Sequence, residues 1–348
     1  MRIAFDAKRY FKNPTGLGNY ARWLIQGLNE EPRDLDVQLY AGNHAEGAYG
    51  PTRPLSRAFP SIWRTKWIIK DLLKNQVEIF HGLSNEIPFG MHKTKIKSVV
   101  TIHDLIQKRY PENYSWIDRN IYNAKIRYAQ KHSDCIVVPS EQTKRDLIKY
   151  FNTDEQKIAV IPLGFDTQIQ SPTAEAKETY VLCVSGFNRR KNLVRMLKAF
   201  DQSNLDCKLI IAGKSGDSLI RMKTLSKKMP NVELVVDPST KEIQELYSTA
   251  LFCIYPSLFE GFGIPLIEAM QYGKIVASSK SSSLPEVGGE AAYYFNPEDI
   301  DSIKSAMENL YHSPSLRQHH ESLIKEQLNK FEHTAIIEKY HLLYKALV

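Results

Sequence analysis

The sequence predicts an α/β protein built from two doubly wound parallel-sheet domains. Three observations carry this prediction. Short β-branched runs alternate with helical patterns from end to end, as in parallel sheets covered by helices. A polar stretch near the middle, "DTQIQSPTAEAKETY" (Asp166–Tyr180), interrupts that alternation. The length of 348 residues suits two domains of about 150 residues each.

In the first half the strand-like runs are "RIAFDA", "DVQLY", "VEIF", "KSVVTI", "CIVVPS" and "KIAVIPL". In the second they are "YVLCVSG", "CKLIIAG", "VELVVD", "LFCIYPS", "KIVASS" and "AAYYF". Helical patterns fall between them. "SEQTKRDLIKYF" has Ser140 as N-cap before a charged first turn. After the last strand only helices follow, ending in "HTAIIEKYHLLYKALV", whose Ile336, Ile337, Tyr340, Leu343 and Tyr344 form one stripe at helical spacing. The expected boundaries are 1–165 for the first domain, 166–177 for the linker and 178–331 for the second domain.

Composition excludes several classes. No apolar run approaches the ~20 residues of a spanning helix, and Met1-Arg2 leads straight into a strand, with no signal-peptide pattern. The four cysteines, Cys135, Cys183, Cys207 and Cys253, stand apart and match neither a zinc site nor a disulfide framework. The expectation is a cytoplasmic protein with reduced, buried thiols. No helix-turn-helix, zinc finger or RNP-type aromatic pattern supports nucleic-acid binding.

Charge is unevenly spread. Residues 1–170 hold 25 Lys and Arg against 18 Asp and Glu, which accounts for the whole net charge of +7. Such asymmetry points to an anionic partner for the N-terminal half. Its sharpest piece is "RAFPSIWRTKWIIKDLLKNQ" (Arg57–Gln76), which mixes Arg64, Lys66, Lys70 and Lys74 with Trp63 and Trp67. On a helix this gives either an interfacial face for an anionic membrane or an ordinary amphipathic helix packed on its own domain.

In an open parallel sheet, ligands bind outside the carboxyl ends of the strands. Candidate residues concentrate there. "GLGNYA" fits the G-x-G-x-x-G/A fingerprint for a dinucleotide, but the eight residues Lys8–Thr15 precede Gly16 and no acid ends the next strand. Gly16 and Gly18 can still open a helix that receives a phosphate through free N–H groups.

"EGFGIPLIEAM" puts Glu260 in a glycine-punctuated loop, Pro265 in the first turn of a helix and Glu268 one turn further. The N–H groups of Phe262, Gly263 and Ile264 would stay free at that helix start and form a second anion site. "RRKN" supplies Arg189, Arg190 and Lys191 at another strand-to-helix junction, suited to diphosphate oxygens. His103 ends "VVTIH", where a strand meets the ligand-binding edge. "DLD" (Asp34, Asp36) and "DID" (Asp299, Asp301) lie at the starts of elements, so a metal–diphosphate role is not expected of them. No metal-ligand spacing, nucleophile elbow or Walker loop occurs.

Taken together, these blocks resemble a known family. "PSLFEGFGIPLIEAMQYGKIVAS", with "SSLPEVGGEAAYYFNPED" after it, resembles the donor-binding half of family-4 retaining glycosyltransferases, which have the GT-B fold. "TGLGNYARWL", "HGLSNEIP", "TIHDLIQKRYPE", "VPSEQTKRDL", "VIPLGFD" and "RRKN" are similar to that family's other blocks, in its order, over about residues 1–345. The resemblance is strongest to the branch with bacterial mannosyltransferases that build surface polysaccharides from GDP-mannose.

The resemblance implies two Rossmann-like domains facing a cleft, with the terminal helix 332–348 crossing back to an acceptor-binding N-terminal domain. It implies that Glu260 contacts the donor hexose and Glu268 the nucleotide ribose, and that Lys191 with Arg189 or Arg190 neutralises the diphosphate. Gly16 and Gly18 would approach the donor phosphate, His103 would contact the donor sugar, and Ser283 and Leu284 would lie along the nucleotide-sugar. One departure is that only Phe187, Asn188 and Arg189 separate the strand-end Gly186 from "RKN", which leaves open which arginine serves.

The implied chemistry is transfer of a hexose from a nucleotide-sugar to a saccharide or lipid-linked saccharide acceptor, by front-face attack, without a metal or covalent enzyme intermediate. A basic N-terminal domain would suit an acceptor at the inner face of the membrane. An NAD-dependent oxidoreductase, a nucleotide-sugar epimerase and a non-catalytic sugar-binding protein are the alternatives.

Overall fold

The computed structural model describes residues 1–13, 16–30, 34–42, 47–50, 58–165 and 179–348. Among them are twelve strands in two six-stranded, all-parallel sheets. The first sheet holds β1 (Arg2–Asp6), β2 (Asp36–Tyr40), β3 (Ile79–Gly82), β4 (Lys97–Thr101), β5 (Cys135–Val138) and β6 (Ile158–Val160), in the order β2-β1-β3-β4-β5-β6. The second holds β7 (Tyr180–Val184), β8 (Lys208–Gly213), β9 (Val232–Val236), β10 (Phe252–Tyr255), β11 (Val276–Ser279) and β12 (Ala292–Phe295), in the order β12-β11-β10-β7-β8-β9.

These twelve strands coincide with the twelve runs read from the sequence, β3 being displaced toward His81-Gly82. They are apolar on both faces because helices cover both. Strands β3, β5, β10 and β11 are buried at every position. In each sheet the winding reverses once, between β1 and β3 and between β7 and β10. At such reversals the loops leave in opposite directions and a crevice opens at the strands' carboxyl ends.

The chain divides into two compact units, Met1–Gly164 with His333–Val348, and Phe165–Glu332. Phe165 falls in the second unit because its N–H donates to the Phe331 carbonyl at 2.8 Å and its ring stacks on Phe262 at 6.4 Å. The expected linker, 166–177, lies outside the described residues.

The terminal helix His333–Lys345 belongs to the first unit, burying Ile336, Ile337, Tyr340, His341 and Tyr344. Gly27 of the helix Gly16–Glu30 makes room for it, since a Cβ there would meet Ile337 Cδ1 at 2.7 Å. Buried hydroxyls fasten it to the sheet. Tyr20 Oη lies 2.9 Å from Tyr340 Oη and 2.8 Å from Thr101 Oγ1. His81 Nδ1 and Nε2 meet Tyr344 Oη and Thr101 Oγ1 at 2.7 and 2.8 Å. Ser140 caps its helix as expected, its Oγ accepting from Thr143 N at 3.1 Å.

Of the two forms expected for the segment 57–76, its described part takes the amphipathic helix packed on its own domain. It is described from residue 58 as Pro60–Ile62, a π-helical turn Trp63–Trp67 and the helix Ile68–Lys74. Trp63 is fully buried and its indole N–H donates to Asp71 at 2.6 Å. Trp67 packs on the same core as Ile68 and Leu72. Arg64 forms ion pairs with Asp6, at 2.6 Å, and with Glu86. The indole and the guanidinium therefore have partners inside their own domain. Lys66, Lys70 and Lys74 remain exposed.

Candidate active site

The reversal between β7 and β10 gathers the charged residues of the second unit. After β7 the chain turns through Gly186–Asn188 into the 3₁₀ turn Arg189–Lys191. Asn192 follows in left-handed backbone at φ 60°, and its Nδ2 donates to the carbonyls of Pro256 and Pro297 at 3.1 and 2.7 Å. This clamp ties the cationic turn to the loop leaving β10. Lys191 Nζ and Arg190 Nη1 each reach Glu260 Oε1 at 2.7 Å.

Around this meeting point Tyr255 Oη accepts from Lys191 at 2.6 Å and donates to Glu260 at 3.0 Å. Ser257 Oγ also donates to Glu260, and Arg190 donates to the Phe259 carbonyl. Arg189 is exposed. The structure thus aims Arg190, together with Lys191, at the expected acid.

Burial alone would raise the Glu260 carboxyl. The Lys191 and Arg190 charges, with hydrogen bonds from Lys191 and Ser257, outweigh it and hold the group at about 2. Burial lowers the Lys191 ammonium against the pull of Glu260, and Arg190 pushes the same way as burial. Burial and the Glu260 charge keep the Tyr255 hydroxyl well above its ordinary range. Two cations on one carboxylate oxygen in a poorly solvated place form a strongly polarised site, favourable to an anion.

The loop after Glu260 leads into the helix Ile264–Gln271, with Pro265 in its first turn. Gly263 has φ +135°, a conformation L side chains resist, and a Cβ there would meet Leu284 Cδ2 at 2.9 Å. The N–H groups of Phe262, Gly263 and Ile264 have no hydrogen-bond partner among the described residues. They lie at the positive end of the helix dipole. Ser282 Oγ accepts from Glu260 N at 2.9 Å. Ser283 Oγ donates to the carbonyls of Glu260, at 3.0 Å, and of Phe262. The side chains of Ser283, Leu284 and Phe262 are buried and shape this loop.

Glu268, one turn along, accepts from Tyr247 Oη at 3.0 Å. Burial raises its carboxyl, against that hydrogen bond and the Lys191 charge. Tyr247 stacks on Tyr272 with ring centroids 5.7 Å apart.

The remaining expected residues belong to the first unit. Gly16 begins the helix Gly16–Glu30. At Gly18 a Cβ would meet the Asn13 carbonyl oxygen at 1.8 Å, so only glycine fits beneath the loop. Arg22 holds that loop by donating to the Tyr10 and Asn13 carbonyls at 3.0 and 3.1 Å. His103 Nε2 donates to the Leu83 carbonyl at 3.0 Å, and its ring meets Tyr20 edge-on at 4.8 Å. Burial lowers this imidazole to about 4, so it is neutral at pH 7 with its proton on Nε2.

Tyr255, Ser257, Ser282 and Tyr247 were not among the residues picked out from the sequence. Tyr255 was legible only as the last residue before "PSLFE", because β10 is buried on both faces and shows no alternation. Asp36 pairs with Arg2, and Asp299 caps a helix, so neither Asp-x-Asp pair joins the site. Among the described residues no three His, Cys, Asp or Glu side chains are grouped to hold a metal.

Residues 164–327 match the family model described as "Glycosyl transferases group 1", and residues 14–169 match "Glycosyltransferase Family 4". The O-antigen chain mannosyltransferase RfbU of Salmonella typhimurium is 27% identical over 332 residues, covering 89% of this chain and 91% of that protein. The O-antigen chain mannosyltransferase B of Escherichia coli is 27% identical over 347 residues, covering 88% and 89%. Sucrose-phosphate synthase from Thermosynechococcus elongatus shares the fold with a TM-score of 0.80 at 20% identity, over 100% of this chain and 99% of that one. Anabaena HepE in complex with UDP aligns with a TM-score of 0.76 at 15% identity, over the whole of both chains. With a glycosyltransferase model on each half and the same architecture in solved structures, the chain belongs to the family-4 glycosyltransferases of the GT-B fold.

Proposed function

We propose that this glycosyltransferase moves mannose from GDP-mannose to a saccharide or lipid-linked saccharide acceptor in surface-polysaccharide assembly, with retention at the anomeric carbon and without a metal. The observation that carries the reading is the convergence of Arg190 and Lys191 on Glu260 beside the open helix start at Ile264. The names of the two relatives at 27% identity support mannose and a polysaccharide product.

Breaking the anomeric C–O bond places negative charge on the departing diphosphate and positive charge on the sugar ring. Lys191, Arg190 and the N–H groups of Phe262, Gly263 and Ile264 answer the first charge without reorganising, which is where fixed electrostatics act most strongly. Glu260, held ionised, answers the second and orients the hexose. Glu268 accepts from the ribose hydroxyls. The leaving phosphate oxygen takes the acceptor's proton as the acceptor attacks from the same face, so no enzyme carboxylate is glycosylated. The expected donor contacts of Gly16, Gly18 and His103, and of the loop at Ser283 and Leu284, form part of this proposal. The N-terminal unit binds the acceptor.

The test is incubation with GDP-mannose, UDP-glucose or ADP-glucose and a lipid-linked saccharide, in chelator. Mass spectrometry reads the product and NMR its anomeric configuration. Mannosyl transfer with retention in chelator is the expected result. Inversion, dependence on added metal, or activity only with another donor would each overturn the corresponding part.

A further inference from the structure

No helix among the described residues is long and apolar enough to cross a membrane, and the Trp63–Trp67 turn faces inward. The first unit nevertheless exposes large apolar side chains elsewhere, on the helix Trp116–His132. Trp116 is 70% exposed, Ile117 63% and Ile121 49%. At 3.6 residues per turn these three share an arc of about 140° with Asn120, Ala124, Arg127 and Lys131. All seven are exposed, and none is acidic. The inner side, with Ile126 and Ala129, packs in the core.

Phe89 extends the patch. It is 50% exposed and its ring meets Tyr128 of the same helix at 4.6 Å. Asp118, exposed beside Ile117, is the one acid of this helix, and it accepts from Ser115 Oγ at 2.6 Å. Lys125, on the flank, pairs with Glu86 at 2.7 Å. Burial and the neighbouring charges of Arg127 and Arg119 hold the Lys108 ammonium below its ordinary range, a sign that cations crowd beside the patch.

We propose that the exposed face of the helix Trp116–His132 docks the protein on an anionic lipid bilayer, with Trp116, Ile117, Ile121 and Phe89 entering the headgroup boundary and Arg127 and Lys131 meeting lipid phosphates. An exposed tryptophan and two isoleucines at one end of a helix, with Arg127 and Lys131 exposed toward the other, suit the boundary between lipid headgroups and acyl chains. A saccharide surface would not require bare isoleucines, and an acidic protein would not require a face this apolar. The inference deepens the reading of a lipid-linked acceptor, and rests on it for its purpose, because docking holds the acceptor-binding unit where such an acceptor resides.

Flotation with phosphatidylcholine vesicles, with and without phosphatidylglycerol, tests the docking. The variants are Trp116→Ser/Ile117→Ser/Ile121→Ser and Arg127→Glu/Lys131→Glu, all at exposed positions, with Lys66→Glu/Lys70→Glu as control and GDP binding measured on each. The wild type is expected to bind phosphatidylglycerol vesicles, each variant at least tenfold more weakly, and the control like wild type. Equal binding by the variants, or no binding by the wild type, overturns the inference. A wild-type dimer that the triple variant dissolves, without vesicle binding, assigns the face to a second copy and also overturns it. These outcomes are separate from the donor reading, which the GDP measurements test on their own.

Discussion

Lys191 Nζ lies 2.7 Å from Glu260 Oε1, joining two residues whose side chains keep only 12% and 11% of their surface exposed. Arg190 reaches the same oxygen. Removing one partner of a buried pair costs about 3 kcal/mol, chiefly because the other charge is left unanswered. In Glu260→Gln the unanswered charges are both positive. That variant is expected to melt lower than wild type, to lose turnover by at least a hundredfold, and yet to bind GDP no more weakly. Calorimetry and thermal melts with and without GDP check this, and a matched loss of GDP affinity would contradict it.

Acid should weaken the two units in different ranges. His81 is fully buried, and burial, then the His103 charge, lowers it from 6.5 to about 3. The unfolded chain therefore takes up this proton more readily. Stability from neutral His81 is complete above pH 6.5 and is lost as pH falls toward 3. For Glu260, ordinarily near 4.5 and held at about 2, the loss comes between pH 4.5 and 2. In a denaturation series against pH, His81→Gln is expected to flatten the slope between pH 6.5 and 4. Glu260→Gln is expected to flatten it only below 4.5. Unchanged slopes would sink the assignment.

Gly263 is a third point of test. Its φ of +135° and the 2.9 Å approach of a Cβ to Leu284 make Gly263→Ala costly by about 1–3 kcal/mol. The variant should melt lower and bind nucleotide more weakly, because the helix start is displaced. A wild-type melting point would show that the loop relaxes without cost.

Tyr247 supports Glu268 through one hydroxyl at 3.0 Å. Tyr247→Phe removes that bond and leaves burial free to raise the carboxyl further. The expected result is KM for the donor raised several-fold with kcat nearly unchanged, which steady-state kinetics reads directly.

The sheets were legible because strands covered on both faces read as short apolar runs, and the polar stretch after Phe165 marked where one series stops. Glu260 and the Arg-Lys run were legible because each stands where a strand's carboxyl end meets a helix start, and Glu268 because it follows one turn into that helix. The orientation of the segment 57–76 was not. Helical periodicity shows that two faces differ, but not that Trp63 finds Asp71 or that Arg64 finds Asp6 and Glu86. Nor was it legible that Arg190, and not Arg189, meets Glu260, a contact shaped by a 3₁₀ turn and the left-handed Asn192. The network joining His81 to Tyr344 spans 263 residues and leaves no local trace. Membership of the glycosyltransferase family removes the oxidoreductase and the non-catalytic sugar-binding readings that the glycine loop alone had left open.

The central claim is that Lys191 belongs to a nucleotide-diphosphate site on the second unit. Titration calorimetry of GDP, UDP, ADP and NAD into wild type and Lys191→Ala tests it most directly. GDP binding that weakens at least tenfold in the variant, about 1.4 kcal/mol, with no NAD signal, is the predicted result. GDP affinity equal in both proteins, or NAD binding untouched by the substitution, would contradict it.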